Sequence, residues 1–379
     1  MRLVDIQSGD HRQRYVVVDD DGTLVESIAR YLKHLDRRGC ARNTLRSYGG
    51  NLKLFFEYLA QKGVDHRHVT LDDLAGFVQW LKLPSGSITV LPGHPVAQAR
   101  SNSTINTVLK VVSGFYDYLW RVDGSPGDLH AVTHTHLPAR ARSYKGFLRH
   151  LVRDKPLDKH LLTQPTPKRR PKTLAKEQVA RLIAACDNER DQLLLALLYE
   201  SALRIGEALA LWLEDIDVTS YRLHVRDRGE LVNGAEIKTP AAERTVDVSP
   251  DLVYRIMDYV AVAHTEGVAT NHLFVKMRGP HAGQPLAYAD VNDLFQRRAR
   301  KTGIAASAHL LRHSSLTALA RAGWAPEHLR VRAGHAHFQT TYQLYVHPSE
   351  EDLRAEWERT QQRVHVTEEH AHGAAPYAR

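Results

Sequence analysis

Four short stretches of this 379-residue chain concentrate the side chains that can handle an anionic group and a proton. "GHAHFQTTYQLYVHPS", from Gly334 to Ser349, holds His335, Tyr342, Tyr345 and His347 among small and polar neighbours. No clean apolar face there needs the tyrosines, which leaves their phenols open to chemistry. "HLLRHSS" gives His309, Arg312 and His313 at i, i+3 and i+4, on one helical face. "ESALRIGEALAL" sets Arg204 inside an apolar run, with Glu207 one turn on. An isolated buried charge is very expensive, so Arg204 needs a carboxylate, and Glu207 or Glu200 can supply it. "EIKTPAAERTVDV" places Lys238 at the end of a strand and Arg244 on the return strand of a hairpin. Taken singly, each stretch also reads as ordinary structure: a salt bridge, an exposed lysine, a polar helix face.

The elements that must position these residues form two helix-rich blocks. In the first, Leu24, Val25, Ile28, Tyr31, Leu32 and Leu35 line one face of an amphipathic helix. "NTLRSYGGNLKLFFEYLAQKG" repeats the pattern, with Asn43 as cap and Gly63 as terminator. Thr70 and Asp73 open a third helix as a capping box, and "STINTVLKVVSGFYDYLW" closes a four-helix bundle. From 123 to 172 the periodicity fades and prolines recur, ending in the basic run Lys168, Arg169, Arg170 and Lys172. The second block begins with a helix capped by Thr173, followed by "DQLLLALLYESALRIGEALALW" as a buried helix pair. "YRLHVRD", "GAEIKT" and "ERTVDV" alternate as three antiparallel strands, and further helices follow.

The organisation is thus an extension (1–22), a helical block (23–122), a linker (123–172), a second block (173–350), and a C-terminal helix with a disordered tail (351–379). The fold class is mainly α with a small antiparallel β-sheet (α+β). Fifty-one basic against 43 acidic side chains give a net charge of +8, which favours a polyanionic partner. Cys40 and Cys186 lack metal-ligand spacing, so neither a disulfide framework nor a zinc site is expected from them. With no apolar run of membrane length and no signal core, the chain reads as soluble and cytoplasmic.

In order, Arg204, Lys238, His309-x-x-Arg312, Gly334-His335 and a tyrosine resemble the catalytic domain of the tyrosine recombinases, the phage integrases and the Xer group. The likeness runs from about Thr173 to His347, and the first block is similar to that family's SAM-like core-binding domain. It implies a site-specific recombinase that cuts and rejoins DNA through a 3′-phosphotyrosine intermediate. The family's nucleophile lies nine or ten residues after the Gly-His histidine, which selects Tyr345 over Tyr342. By the same resemblance Arg204 and Arg312 clamp the phosphate, His309 accepts or relays the phenolic proton, and His335 hydrogen-bonds a phosphate oxygen. Lys238 protonates the leaving 5′ oxygen, Glu207 orients Arg204 or a histidine, and His313 supports the same face. Candidate DNA contacts are Arg42, Arg46, Lys53, Lys110, Lys168, Arg169, Arg170, Lys172 and Arg244.

No metal and no cofactor are implied. The implied partners are double-stranded DNA with inverted half-sites, further copies of the chain in a synaptic tetramer, and an accessory directionality factor near the nucleoid. The helix from Ser349 to Val364 docks either on its own domain or on a neighbouring protomer. The segments beyond a compact core favour a mobile-element integrase or transposase over an Xer-like dimer resolvase, and the intact residue set argues against a catalytically inactive relative. Two departures from the family pattern stand out. Ala202 replaces a usual glycine, which makes a more helical local backbone the expectation, and Ala333 replaces a frequent leucine.

Overall fold

Apolar residues at helical spacing build α1 (Glu26–Arg37), α2 (Arg42–Lys62), α3 (Leu71–Lys82) and α4 (Asn102–Asp123). The computed structural model describes residues 1–7, 13–83, 99–124, 134–137, 157–160, 162–167, 172–229, 231–237 and 243–335, with 354, 357, 358 and 361 beyond; for 134–137 and 157–160 the backbone is described. The chain divides into two compact units, Met1–Lys168 and Arg169–Arg379. In the first, the bundle closes on an aromatic centre. Phe55 meets Phe77 and Tyr116 edge-on, at 5.0 and 5.9 Å between ring centroids. Each such buried side chain contributes about 1.5–3 kcal/mol.

Thr70 and Asp73 form the reciprocal capping box, and Gly63 ends α2 at φ +66°. Asn43 does not cap α2, whose N-cap is Ala41, two residues earlier, with no side-chain cap bond. Residues 1–22 also differ from a plain extension. Strands β1 (Arg2–Gln7) and β2 (Gln13–Val18) pair antiparallel, with Arg2 opposite Val18. Tyr15 and Val17, two apart on β2, turn into the bundle core, so period-two patterning recruits this segment to the first unit. The segment 123–172 likewise holds structure. Strands β3 (His134–Leu137) and β4 (Leu157–His160) pair within it. The Asn106 side chain then exchanges two hydrogen bonds, 2.9 and 2.8 Å, with the Gln164 backbone, fastening 162–167 to α4.

The second unit holds α5 (Lys176–Ala184), α6 (Glu189–Ser201) and α7 (Ile205–Leu209). Its sheet contains β5 (Ile216–Asp217), β6 (Arg222–Val225) and β7 (Arg244–Asp247) in the order β5-β6-β7. Then come α8 (Pro250–Ala263), α9 (Tyr288–Thr302), α10 (Ala308–Arg321) and α11 (Pro326–Ala333). Helix α6 is buried almost all round, as its unbroken apolar run requires, and α5, α8 and α10 pack on it.

Two local expectations fail here. Thr173 is not the cap of α5, because Ala175 occupies that position and donates its N–H to Gln178 Oε1 at 2.9 Å. "GAEIKT" is no strand over its described residues. Asn233 Nδ2 donates to the carbonyls of Leu209 and Leu286, both at 3.0 Å, and Gly234 turns at φ +73°. That draws Ala235 and Ile237 into the core off the ladder, so β6 pairs directly with β7. The 349–364 helix lies largely outside the described residues, although 354, 357, 358 and 361 are helical and Arg354 pairs with Glu358 at 3.1 Å. No helix among the described residues is long and apolar enough to cross a membrane.

Candidate active site

The junction between α6 and α7 makes the site. Helix α6 ends at Ala202, which is fully buried and takes φ +56° and ψ +26°. The more helical backbone expected from an alanine is therefore not adopted. The left-handed turn persists despite a cost of roughly 1–2 kcal/mol for a residue with a Cβ. Packing compensates: Ala202 lies with Leu316, Leu329 and Ala333 in a small apolar cluster, so the short Ala333 side chain faces another short one. The turn aims Arg204 back across the N-terminus of α7.

Glu207 is the hub, with its side chain only 2% exposed. Arg204 Nη1 donates to Oε1 at 2.6 Å, and its backbone N–H donates to Oε2 at 2.8 Å. Arg244, from β7, donates two further bonds through Nη2 and Nη1, at 2.8 and 3.2 Å. Arg312, from α10, brings Nη1 to 3.8 Å from Oε2. Burial alone pushes the Glu207 carboxyl pKa up. The ion pairs with Arg244 and Arg204 reverse this and hold it below its ordinary 4.5. Three guanidiniums around one carboxylate leave an excess of two positive charges among the described side chains. That is an anion-binding centre.

Backbone carbonyls aim the guanidiniums. Arg312 Nη1 donates to the Ala202 carbonyl at 2.6 Å and Nη2 donates to that of Ala333. Arg204 Nη2 donates to the Gly334 carbonyl at 3.0 Å, and Arg244 Nε to that of Arg332 at 2.8 Å. Arg312 and Arg244 are 3% and 5% exposed, whereas Arg204, at 29%, presents the most surface. Arg244 was expected to reach for DNA; its side chain, 5% exposed, turns inward to the buried Glu207 carboxylate instead, each compensating the other's buried charge.

His335 follows Gly334, the C-cap of α11, and its Nε2 lies 3.1 Å from Arg312 Nη2. A guanidinium has no acceptor, so Nε2 accepts and the ring proton sits on Nδ1. Burial first, then Arg312 and Arg204, pull the His335 pKa down to about 4. On α10, His309 is exposed and His313 buried, with their Nε2 atoms 2.7 Å apart. Burial and the neighbouring His309 lower the His313 pKa, also to about 4. Both imidazoles are depressed on folding from an ordinary 6.5, so the unfolded chain binds more protons between those values. Stability should accordingly be full above pH 6.5 and decline as pH falls toward 4. Denaturant midpoints measured across that window should drop in the wild type and drop less in His313→Gln.

Gly334 is needed twice over. It takes φ +59°, and a Cβ there would lie 2.6 Å from Arg244 Nη1. Gly334→Ala should displace that guanidinium and cost about 1–2 kcal/mol in urea denaturation.

The expected site residues divide as follows. Arg204, Glu207, Arg312 and His335 come together, and His309 with His313 lie on α10, the helix that carries Arg312. Lys238, Tyr342, Tyr345 and His347 lie outside the described residues, as do Lys168, Arg169 and Arg170. Arg46, Lys110 and Lys172 are exposed, Arg42 is half-buried, and Lys53 is half-buried against Glu57 at 2.9 Å. Sequence reasoning missed the Arg244–Glu207 pair and the carbonyls that aim the arginines. A third arginine near one buried glutamate was the available signal, but 37 residues separate the pair.

Residues 172–352 match the Phage integrase family, and residues 28–122 match the family's N-terminal SAM-like domain. The chain is 37% identical to Transposase A from transposon Tn554 of Staphylococcus aureus over 343 residues, covering 90% of this chain and 93% of that protein. It is 26% identical to the tyrosine recombinase XerD of Mycobacterium tuberculosis, over 88% of this chain and 97% of that one. Among solved structures, the fold resembles the Tn1549 transposon integrase in complex with transposon right end DNA. The TM-score is 0.59 at 19% identity, covering 89% of this chain and 98% of that one. The XerH recombinase bound to a palindromic difH substrate gives a TM-score of 0.58 at 16% identity, over 87% and 84%.

Proposed function

The chain belongs to the phage integrase family of tyrosine recombinases, and from that premise we propose how its residues divide the work of DNA strand transfer. It is a DNA strand-transferring enzyme of the mobile-element kind; the likeness to Transposase A exceeds that to the Xer resolvases in identity. The observation that carries the assignment is the cluster of Arg204, Arg244 and Arg312 on Glu207, with His335 held on Arg312. An excess of two positive charges, with the half-buried Arg204 presenting the most surface, suits a scissile phosphate.

In this reading Tyr345 Oη attacks the scissile phosphorus, and a tyrosyl–phosphorus bond forms as the bond to the 5′ oxygen breaks. Negative charge that builds on the nonbridging oxygens falls to Arg204 and Arg312, each charged hydrogen bond contributing roughly 1.5–3 kcal/mol. Glu207 and Arg244 are positioning residues that fix those guanidiniums. A phenol has a pKa near 10 and must lose its proton during attack. His309 takes it, and neutral His313, accepting at Nε2, stabilises the resulting imidazolium. Lys238 protonates the leaving 5′ oxygen. The phosphotyrosyl bond conserves the energy of the broken strand, so rejoining needs no nucleotide triphosphate.

The proposed partner is double-stranded DNA with inverted half-sites, bound by the basic residues of both units, in a synaptic tetramer with an accessory directionality factor. The cytoplasm, at the nucleoid, is the proposed site of action. The test is a nicked suicide duplex carrying the element's end, followed by a denaturing gel. A covalent protein–DNA band is expected, and its absence on a cognate end overturns the reading.

A further inference from the structure

Residues 231–237, which lead the chain toward Lys238, stand off the sheet, because β6 pairs directly with β7. Strand register therefore does not fix them, and other contacts do. Asn233 uses its whole amide. Nδ2 donates to the carbonyls of Leu209 and Leu286, both at 3.0 Å, and Oδ1 accepts from the Ala235 N–H at 3.0 Å. Leu209 ends α7 and Leu286 precedes α9, so one side chain ties the segment to both. Ala235 and Ile237 then enter the core, 0% and 6% exposed.

Gly206 supplies a further contact. It is buried inside α7, and its backbone is not left-handed, so its torsions do not call for a glycine. Glycine within a helix is destabilising relative to alanine, which leaves space as the reason for it. A Cβ at 206 would overlap Tyr288 Oη and stand 2.9 Å from the Glu236 carbonyl oxygen. A phenol tip can swing aside. The carbonyl is backbone between buried Ala235 and Ile237, so relieving it means moving the chain. The next residue on α7 is Glu207, on which Arg204, Arg244 and Arg312 converge. One five-residue helix thus holds the arginine cluster through Glu207 and the approach to Lys238 through Gly206.

We infer that Gly206 and Asn233 are positioning residues for the general acid: they fix the chain ahead of Lys238 against α7, and so against the arginines that take the phosphate. The inference rests on the assignment of Lys238 as that acid. As the bond from phosphorus to the 5′ oxygen breaks, its electron pair goes to the oxygen, and Lys238 gives that oxygen a proton. Sulfur in the same bridging place leaves as a thiolate, which is far less basic than an alkoxide and needs no proton. A fault confined to the acid is therefore repaired by sulfur. A fault in the arginine cluster, the nucleophile or the fold is not.

The test gives full-length protein nicked suicide duplexes with oxygen or sulfur at the 5′ bridging position and compares single-turnover rates of adduct formation. Wild type should cleave both. Lys238→Ala should lose roughly 10²–10⁴-fold on oxygen and return to within about tenfold of wild type on sulfur. Gly206→Ala and Asn233→Ser should each lose at least about tenfold on oxygen and recover on sulfur in the same way. A wild-type far-UV spectrum and urea midpoint qualify a variant, and Asn233→Ser decides if Gly206→Ala does not fold. No adduct from the wild type, or no sulfur rescue of Lys238→Ala, overturns the assignment of the acid and the inference with it. If Lys238→Ala is rescued while the folded Gly206 and Asn233 variants keep wild-type rates on oxygen, or stay equally slow on both duplexes, the inference alone is overturned.

Discussion

Tyr345→Phe should abolish the covalent protein–DNA adduct while affinity for the same duplex stays within about twofold. Phenylalanine keeps the ring and removes only the oxygen proposed to attack phosphorus. Removing the attacking group itself should cost more than roughly three powers of ten. Tyr342→Phe is the matched control, and adduct yield should remain at the wild-type level. Tyr342 lies seven residues after His335 and Tyr345 ten. A denaturing gel on the suicide duplex and a mobility-shift titration on an uncleavable one read the two properties separately. An adduct that survives Tyr345→Phe and disappears in Tyr342→Phe would reverse the assignment.

Replacing Glu207 should be the most damaging change in the described part of the second unit. Glu207→Gln leaves Arg244 and Arg312 buried with their shared counter-charge removed, and breaking such a buried arrangement costs about 3–5 kcal/mol. The denaturation midpoint should fall accordingly, and adduct formation should fall beyond the share explained by unfolding. Glu207→Asp keeps the charge with a shorter reach and should recover part of both. The pH dependence gives an independent signature. The folded Glu207 pKa is depressed, so its stabilisation is complete above the ordinary 4.5 and is lost as pH falls through the folded value. In the wild type the imidazole-linked decline should begin below pH 6.5 and a steeper carboxylate-linked decline should follow below 4.5. Glu207→Gln should shrink the second phase, to which Asp65, Asp73, Asp187 and Asp217 also contribute, and keep the first, as equilibrium unfolding from pH 7 to 3 would show.

Much of this was legible from local pattern. The Thr70–Asp73 box, the Gly63 terminator, the four amphipathic helices and the shared face of His309, Arg312 and His313 follow from spacings of two to four residues. Local chemistry suffices for these contacts, although the Asn43 and Thr173 caps, read at the same range, each fell two residues off. The larger errors arose where distant packing overrode local preference. Ala202 keeps a left-handed backbone because Leu316, Leu329 and Ala333 bury it there. "GAEIKT" leaves the ladder because Asn233 is held by carbonyls of Leu209 and Leu286. The first strands join the bundle because Tyr15 and Val17 find α2.

By itself the sequence determined which residue types are present, which elements carry them, and which pieces in order spell a phosphate-handling tyrosine enzyme. Only the tertiary structure decided that Arg244 faces Glu207 rather than outward, and that carbonyls of Ala202, Ala333 and Gly334 aim the arginines. The reason is range. Hydrophobic period and capping act over a helical turn or one strand pair, whereas α7, β7, α10 and α11 converge on one carboxylate only after every apolar face has been buried at once.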